Sequence, residues 1–515
     1  MKTETMFVAG FVLLAQSAFG QAVELKSIDQ TNTLTGDIIG YDGELVTLDT
    51  PTGIIQVPSL QLRCVSENCP TNIAWAEDDR ALIIEFSSPV YQDLVSKLAQ
   101  QFFESEDVNA TTAQDSEFIL RDVTGVAVSV NFAVQDDAQA VLDTEADFIV
   151  SDYNFDDAVR AEYDEALAWA TEPEPARQLI ASDAFSVVVS PGVGVSGITL
   201  EDLARVFSGD LSNWSELGGA DVPILPLKRQ IDADTTRGID EIIMKPTGLE
   251  VSETILTVAS DEDIVSTLDQ LPGGIAVVDV AVGASSSKLG IIGQCGAVVD
   301  ADEFTIKSGD YPLIRPLLAR AVSDERPGPL TDLFDFAATQ LWQSGLTEDA
   351  LINRAIIVQR PEDKAERVNA ILASGVPPEQ HETARAMIEA LFEATPLSLT
   401  LQDNAITKTI AAHNRDAIIR LRDAVTGGAF DQAEIMFVGH SPQDDVLGLR
   451  ASENSAQEVL SAFLEFAPEL APGNPHGVTF SAVGFGSIAP INCHTGPLSS
   501  AEGNRVEVWI KQPAE

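Results

Sequence analysis

TLEDLARVFSGDLSNWSELGG, residues 199–219, decides the reading of this chain. Leu200, Leu203, Val206 and Phe207 recur at helical spacing on one face, so the stretch up to Phe207 is predicted to be a helix with a buried stripe. Ser208-Gly209 stops it, because glycine readily takes the left-handed backbone that closes a helix. Trp214 follows in a short polar loop closed by Leu217-Gly218-Gly219 and reads as a packing anchor. A helix, its turn and an anchor are scaffold. They point to an architecture and leave the ligand to their surroundings.

On either side of this segment, strands alternate with helices. ALIIEF (81–86) is a buried strand, followed by Ser87-Ser88-Pro89 and a helix with Val90, Leu94, Leu98 and Phe102 on one side. ADFIVSD (146–152), FSVVVS (185–190) and GGIAVVDV (273–280) are further strands, the last preceded by a helix over 261–268. Such interleaving implies mostly parallel sheets with sites at strand ends, which suits two α/β lobes facing a cleft. Residues 22–72 form a separate small β module: Ile38 to Tyr41, Asp42-Gly43 and Leu45 to Leu48 make a hairpin, and Pro51-Thr52-Gly53 turns into IIQV. Residues 359–395, charged and Ala-rich, read as two spacer helices broken at Gly375-Val376-Pro377. From 396 the order is strand (LSLTL), helix (403–426), strand (AEIMFVGH), helix (452–466), strand (GVTFSAVGFG) and a last strand (RVEVWI).

A chain of 515 residues is too long for one core and implies three or more domains. Met1 to Gly20 has Lys2 in a charged start, an apolar run from Met6 to Ala15 too short to span a membrane, and small residues Ala18 and Gly20 before Gln21. This reads as a secretory signal peptide, so the mature protein is expected to be exported. The formal charge of −50 argues against nucleic acid and anionic membrane surfaces as partners, both of which need a basic footprint. It still permits a small anion held by neutral donors at helix termini. Of four cysteines, Cys64 and Cys69 in RCVSENCP are close enough to bridge; Cys295 and Cys493 either pair with each other or stay as two thiols. Five scattered histidines show no metal spacing, and no cofactor is expected. The chain has no Gly-x-Ser-x-Gly elbow, phosphate-cradling Lys loop or His-Glu metal pair, so it is not expected to be an enzyme.

The 199–219 segment resembles the second-lobe signature of phosphate-type periplasmic solute-binding proteins, which reads roughly T-L-x-x-L-x-x-I-F-S-G-x-x-x-N-W-x-x-L-G-G. SDEDIVSTLDQLPGGIAVVDVA and EFTIKSGDYPLIRPLLA resemble that family's helix with crossing strand and its late I-K-x-x-x-Y-P-L-x-R-x-L element. The likeness covers roughly 80–350. Residues 396–515 resemble the OmpA-like peptidoglycan-associated domain, through Phe437-Val438-Gly439-His440, Gly484-Phe485-Gly486 before Ala489-Pro490, and Asn504-Arg505-Val506-Glu507-Val508. The resemblance implies an α/β, two-lobed periplasmic-binding-protein fold, preceded by the β module and followed by an OmpA-like α+β sandwich domain. It also implies a non-catalytic protein of the periplasm, outer membrane or cell wall. Its expected partners are phosphate or another small oxyanion, peptidoglycan, and an ABC permease or envelope proteins.

The family holds its oxyanion at three turns, and each departs from the pattern here. The family's Gly-Ser-x-Thr becomes Phe86-Ser87-Ser88-Pro89: the hydroxyls survive, but the glycine and one amide donor are lost, and Ser88 also suits a plain helix N-cap. Ser-Ser-Arg or Ser-Asp-Arg becomes Ser151-Asp152-Tyr153, without the arginine. Arg-Asp-x-x-Ser-Gly-Thr becomes Arg229-Gln230-Ile231-Asp232-Ala233-Asp234-Thr235, where Asp234 would repel an anion while Thr235, Thr236 and Arg237 remain as donors. The C-terminal family grips diaminopimelate through an aspartate and an arginine. Here Pro442 and Ser455 take those places, Asp444 and Asp445 are nearby acids, and Arg505 keeps a late arginine position. The implied reading is a solute-binding protein with a divergent site; the alternative is an envelope structural or interaction protein that has lost both pockets.

Overall fold

The computed structural model describes residues 22–27, 33–43, 45–59, 62–66, 68–71, 73, 82–86, 89–105, 111–113, 117–121, 127–134, 146–152, 177–229, 238–293, 298–321, 333–346, 351–365, 378–403, 412–441, 446–488 and 504–512. The stretch read from sequence as a signal peptide, Cys295 and Cys493 lie outside them. The chain divides into two compact units, Met1–Ile84 with Ala99–Ala133, and Glu85–Leu98 with Val134–Glu515.

The first unit contains the expected β module. Strands β1 (Val23–Ser27), β2 (Thr33–Tyr41), β3 (Leu45–Thr50), β4 (Gly53–Pro58) and β5 (Leu62–Cys64) form one sheet in the order β4-β3-β2-β1-β5. Alternation along β2 and β3 buries Ile38, Val46 and Leu48 against Val23, Leu25, Leu62 and Ile73. Gly43 turns the hairpin at φ 109° and the Asp42 carboxylate accepts the Leu45 N–H at 2.7 Å. The Cys64–Cys69 disulfide is present, with a Cα–Cα distance of 5.7 Å. Strand β6 (Leu82–Phe86) and helix α1 (Pro89–Ser105) cross the division between the units, and α1 buries Tyr91, Leu94, Val95, Leu98 and Ala99. The first unit also holds an antiparallel meander of β7 (Thr111–Ala113), β8 (Glu117–Arg121) and β9 (Ala127–Val134).

The second unit is built on β10 (Phe148–Asp152), β11 (Arg177–Val189), β12 (Gly197–Ile198), helix α2 (Leu200–Ser208) and β13 (Leu225–Arg229). It continues through β14 (Leu256–Val258), helix α3 (Asp261–Leu268), β15 (Gly274–Asp279), β16 (Ser287–Ile292), β17 (Val298–Val299), helix α4 (Glu303–Ser308) and β18 (Ile314–Ala321). Six of these strands run in the order β14-β13-β15-β11-β18-β10, and β16 pairs with β11, β12 and β17. The expectation of mostly parallel pairing is corrected: β13 is parallel to β14 and β15, but β11 is antiparallel to β15, β16 and β18, and β18 to β10. Alternating strands and helices reveal crossovers without saying which later strand becomes a neighbour, and β11 takes three that run against it. The strand also begins at Arg177, earlier than its apolar core.

The opening segment behaves as its residues dictate. The Thr199 hydroxyl caps α2 by accepting the Asp202 N–H at 2.9 Å, and Gly209 ends it at φ 88°. A 3₁₀ turn over Trp214–Leu217 is held by a capping box between Asn213 and Glu216 and closed by Gly218 at φ 80°. Trp214 is fully buried and donates its indole N–H to the Gly273 carbonyl at 2.9 Å.

Beyond helix α5 (Gln340–Gly345) and helix α6 (His381–Leu391), the C-terminal part comprises β19 (Ala394–Asp403), helix α7 (Ala412–Thr426), β20 (Glu434–His440), helix α8 (Val446–Phe466), β21 (Thr479–Gly484) and β22 (Asn504–Lys511). Its sheet runs β19-β22-β20-β21, with β20 and β21 parallel. Helix α6 is no free spacer: Ala384, Met387 and Leu391 bury with Met436, Val438 and Trp509 of this sheet and with Phe485 just after β21. Its apolar stripe, diluted by charges and alanine, is enough to dock it. No helix among the described residues is long and apolar enough to cross a membrane.

Candidate functional site

Arg229 and Asp279 end two parallel strands at the same edge, β13 and β15, and Asp261 opens the helix after β14 beside them. The crevice at the C-terminal ends of parallel strands is where α/β sheets place ligands. Ser260 caps α3 by accepting the Asp263 N–H at 3.1 Å, which fixes Asp261 in the first turn. Asp261 is only 4 % exposed, and its Oδ1 lies 3.8 Å from Arg229 Nε. Burial raises its pKa above the ordinary carboxylate value, opposed by the Arg229 charge and by the Asp279 main-chain N–H it accepts.

Antiparallel register brings the second half of the cluster. Phe185 of β11 faces Asp279, and Asp183 faces Arg315 of β18. The Arg315 side chain, 9 % exposed, is ion-paired to Asp183 and, at 2.9 Å, to Asp279 Oδ1. Its guanidinium also stacks 4.0 Å from the Phe185 ring centroid. A β-carbon at Gly238 would overlap that same ring, so the residue opening the helical run Ile239–Met244 is pressed onto Phe185. The cluster thus sets three carboxylates against two arginines at the two flanks, Arg229 and Gly238, of one loop. The excess is one carboxylate, so an anion held there needs further donors beside the two arginines.

The sequence-predicted residues fall variously. Thr235, Thr236 and Arg237 belong to the loop between Arg229 and Gly238 and lie outside the described residues, as do Ser87, Ser88, Asp444 and Asp445. Ser151 is buried at the end of β10 opposite Leu318, and Asp152 is opposite Leu317. Asp152 therefore stands two rows, about 7 Å along the strand, from the level of Arg315. Ser151, paired with Leu318, falls by strand alternation on the face opposite Arg315. Asp183, Phe185, Asp261, Asp279 and Arg315 were not among the sequence candidates. Their signals were a charge inside the apolar run Ile314–Ala321 and an acid closing the apolar strand Gly274–Asp279.

Arg505 lies on β22 with its side chain 15 % exposed. It pairs with Asp310 at 2.7 Å and with Glu507 at 3.1 Å. Burial alone would lower its pKa, but Asp310 and then Glu507 outweigh it and hold the guanidinium above its ordinary value. Glu507 also accepts the Trp509 indole N–H at 2.9 Å and lies 3.8 Å from His440 Nε2. Ser455, which the sequence reading set in place of an arginine, is buried in α8. Among the described residues no group of His, Cys, Asp or Glu is arranged to hold a metal.

Asp261→Asn is expected to raise the melting temperature of the second unit at pH 7. A carboxylate with a raised native pKa is costly to ionise in the fold, so the wild type is relatively more stable below the ordinary carboxylate pKa and loses that as pH rises. The advantage of the variant should vanish as pH falls toward about 4. Thermal scans of both proteins across that range check it; an advantage independent of pH would refute the cause.

A family model described as a PBP superfamily domain matches residues 88–338. Among curated proteins, the phosphate-binding protein PstS of Borreliella burgdorferi is 21% identical over 180 residues, covering 34% of this chain and 64% of that protein. PstS of Bacillus subtilis is 26% identical over 129 residues, covering 25% and 41%. The chain spans less than two thirds of the length of either relative. Of solved structures, PstS from Borrelia burgdorferi aligns with a TM-score of 0.42 at 15% identity, over 53% of this chain and 99% of that one. An ABC-type phosphate transport receptor from Vibrio cholerae aligns with a TM-score of 0.40 at 16% identity, over 53% and 99%.

Proposed function

We propose that this chain is a non-catalytic, exported solute-binding protein of phosphate-binding type with a divergent ligand site, carrying an OmpA-like cell-envelope domain at its C-terminal end. The observation that carries the reading is the strand-edge cluster. Arg229 and Gly238 bring both ends of the 230–237 loop to the crevice where such a fold takes its ligand, within reach of Arg315. The match over residues 88–338 and the names of the relatives support the class. The ligand groups of this reading are Ser87, Ser88, Ser151, Asp152, Thr235, Thr236 and Arg237. Asp444, Asp445 and Arg505 are those for peptidoglycan. The solute is phosphate or another small oxyanion, delivered to an ABC permease, and the protein resides in the periplasm or at the outer membrane and cell wall.

The excess of carboxylates at the cluster separates this site from a plain phosphate trap. Calorimetric titration of the mature protein with phosphate, sulfate and other oxyanions, with native mass spectrometry for a retained solute, tests the reading. One of these solutes is expected to bind, and Arg237→Ala to weaken it by roughly tenfold, the worth of one charged hydrogen bond. No heat, no thermal shift and no retained solute would sink the solute-binding reading. A second reading, an envelope structural or interaction protein, is favoured by Arg505 being engaged inside the molecule.

A further inference from the structure

Residues 351–365 join the solute-binding segment to the C-terminal sheet by pairing with both. Ser182 of β11 and Ile352 exchange main-chain hydrogen bonds at 3.0 and 2.8 Å. A few residues on, the Ser398 N–H donates to the Ile357 carbonyl at 2.9 Å, the Gln359 N–H to the Pro396 carbonyl at 3.0 Å, and the Ile357 N–H to Ser398 Oγ at 3.0 Å. The same stretch therefore extends the edge of β19 and ties it to β11. Helix α4 lies against β19, and Arg420 of α7 donates to the Arg354 carbonyl at 3.1 Å.

Asp310 follows α4, the helix that lies against β19. Gly309 ends α4 at φ 77°, and the Asp310 N–H returns to the Thr305 carbonyl at 2.8 Å, which fixes the carboxylate; the residue is 3 % exposed. Its partner Arg505 shares one face of β22 with Glu507. Glu507 alone matches the arginine's charge, so Asp310 is a second carboxylate brought from another part of the chain. The guanidinium reaches the two carboxylates through different nitrogens, Nη1 to Asp310 and Nη2 to Glu507, so removing Asp310 leaves the arginine balanced by Glu507 and breaks only its link to the turn after α4.

We propose that Asp310 is an internal carboxylate ligand of Arg505, a latch that holds the C-terminal domain on the solute-binding segment and screens the arginine from external carboxylates. The screening half rests on the reading of that domain as one that recognises cell-wall carboxylates. The latch does not.

Hydrogen exchange on the full mature chain tests both, with wild type, Asp310→Asn and Asp310→Glu, and meso-diaminopimelate as the probe. Asp310→Asn is expected to raise exchange in the peptides holding Ile357, Ser398 and β22 by roughly tenfold or more, with α2 unchanged. Exchange equal to wild type in a folded Asp310→Asn would overturn the latch. If that variant loses protection in α2 as well, Asp310→Glu decides. Its longer arm keeps the charge but misplaces the oxygen, so it must raise exchange at the same peptides, and no rise overturns the proposal. Protection of β22 by the probe in Asp310→Asn but not in wild type supports screening, and equal protection in both overturns it. Protection in neither removes the cell-wall reading and leaves the latch to the exchange result.

Discussion

Trp214→Ala is expected to destabilise the second unit by about 4 kcal/mol, the scale of emptying a fully buried aromatic site. Trp214 closes the cluster of α2, β11 and β15 residues that includes Leu203, Phe207, Val189 and Ile275. Its indole N–H also ties the 3₁₀ turn to Gly273, ahead of β15. The Gly273 carbonyl keeps the Leu225 N–H at 3.0 Å, so cavity formation, more than an orphaned acceptor, sets the size of the loss. Trp214→Phe, which keeps most of the ring, should cost only roughly 1.5 kcal/mol. Because the chain has several cooperative parts, the readout is exchange protection of α2 and β15 beside thermal unfolding. Protection of α2 equal to wild type in Trp214→Ala would show that the anchor is dispensable.

Gly439→Ala is the corresponding test in the C-terminal sheet, with an expected loss of about 3 kcal/mol or more. Its φ is not positive; the demand is close approach. A β-carbon there would overlap the Ser452 main-chain carbonyl of α8, which cannot rotate away as a side chain would. Gly484 on the neighbouring strand meets the Glu453 main chain in the same way, and the Ser452 hydroxyl accepts the Gly486 N–H at 2.9 Å. Helix α8 is therefore seated on two glycines, and the added methyl must push it off β20 and β21. Loss of protection in β20 and α8, with α2 unaffected, is the expected pattern. A variant as stable as wild type would mean that the helix shifts at little cost.

Much of the scaffold was legible from residues alone. Helix α2 could be read because its stripe, its Thr199 cap and its Gly209 stop all act within a few residues of one another. The Asp42-Gly43 hairpin was legible for the same reason. The full length of β11 was not, since its polar first half, Arg177–Asp183, becomes a strand only by pairing with β18. Helix α6 looked like a spacer because its stripe means nothing until the sheet beneath it exists.

The candidate site was less legible than the fold. Asp261 reads in sequence as an ordinary first-turn acid, which helix termini favour. Only the parallel register of β13 and β15 puts Arg229 and the Asp279 N–H around it. Arg505 could be placed on its strand, but nothing local names Asp310 as its partner. The amino-acid sequence by itself determined the class of the segments it could read, the caps of α2, the Asp42-Gly43 turn and the Cys64–Cys69 bridge, because periodicity, capping and short loops are local. Only the tertiary structure decided which charges meet at the strand edge and what occupies Arg505. Those depend on register and packing between residues far apart in the chain, which no short-range pattern encodes.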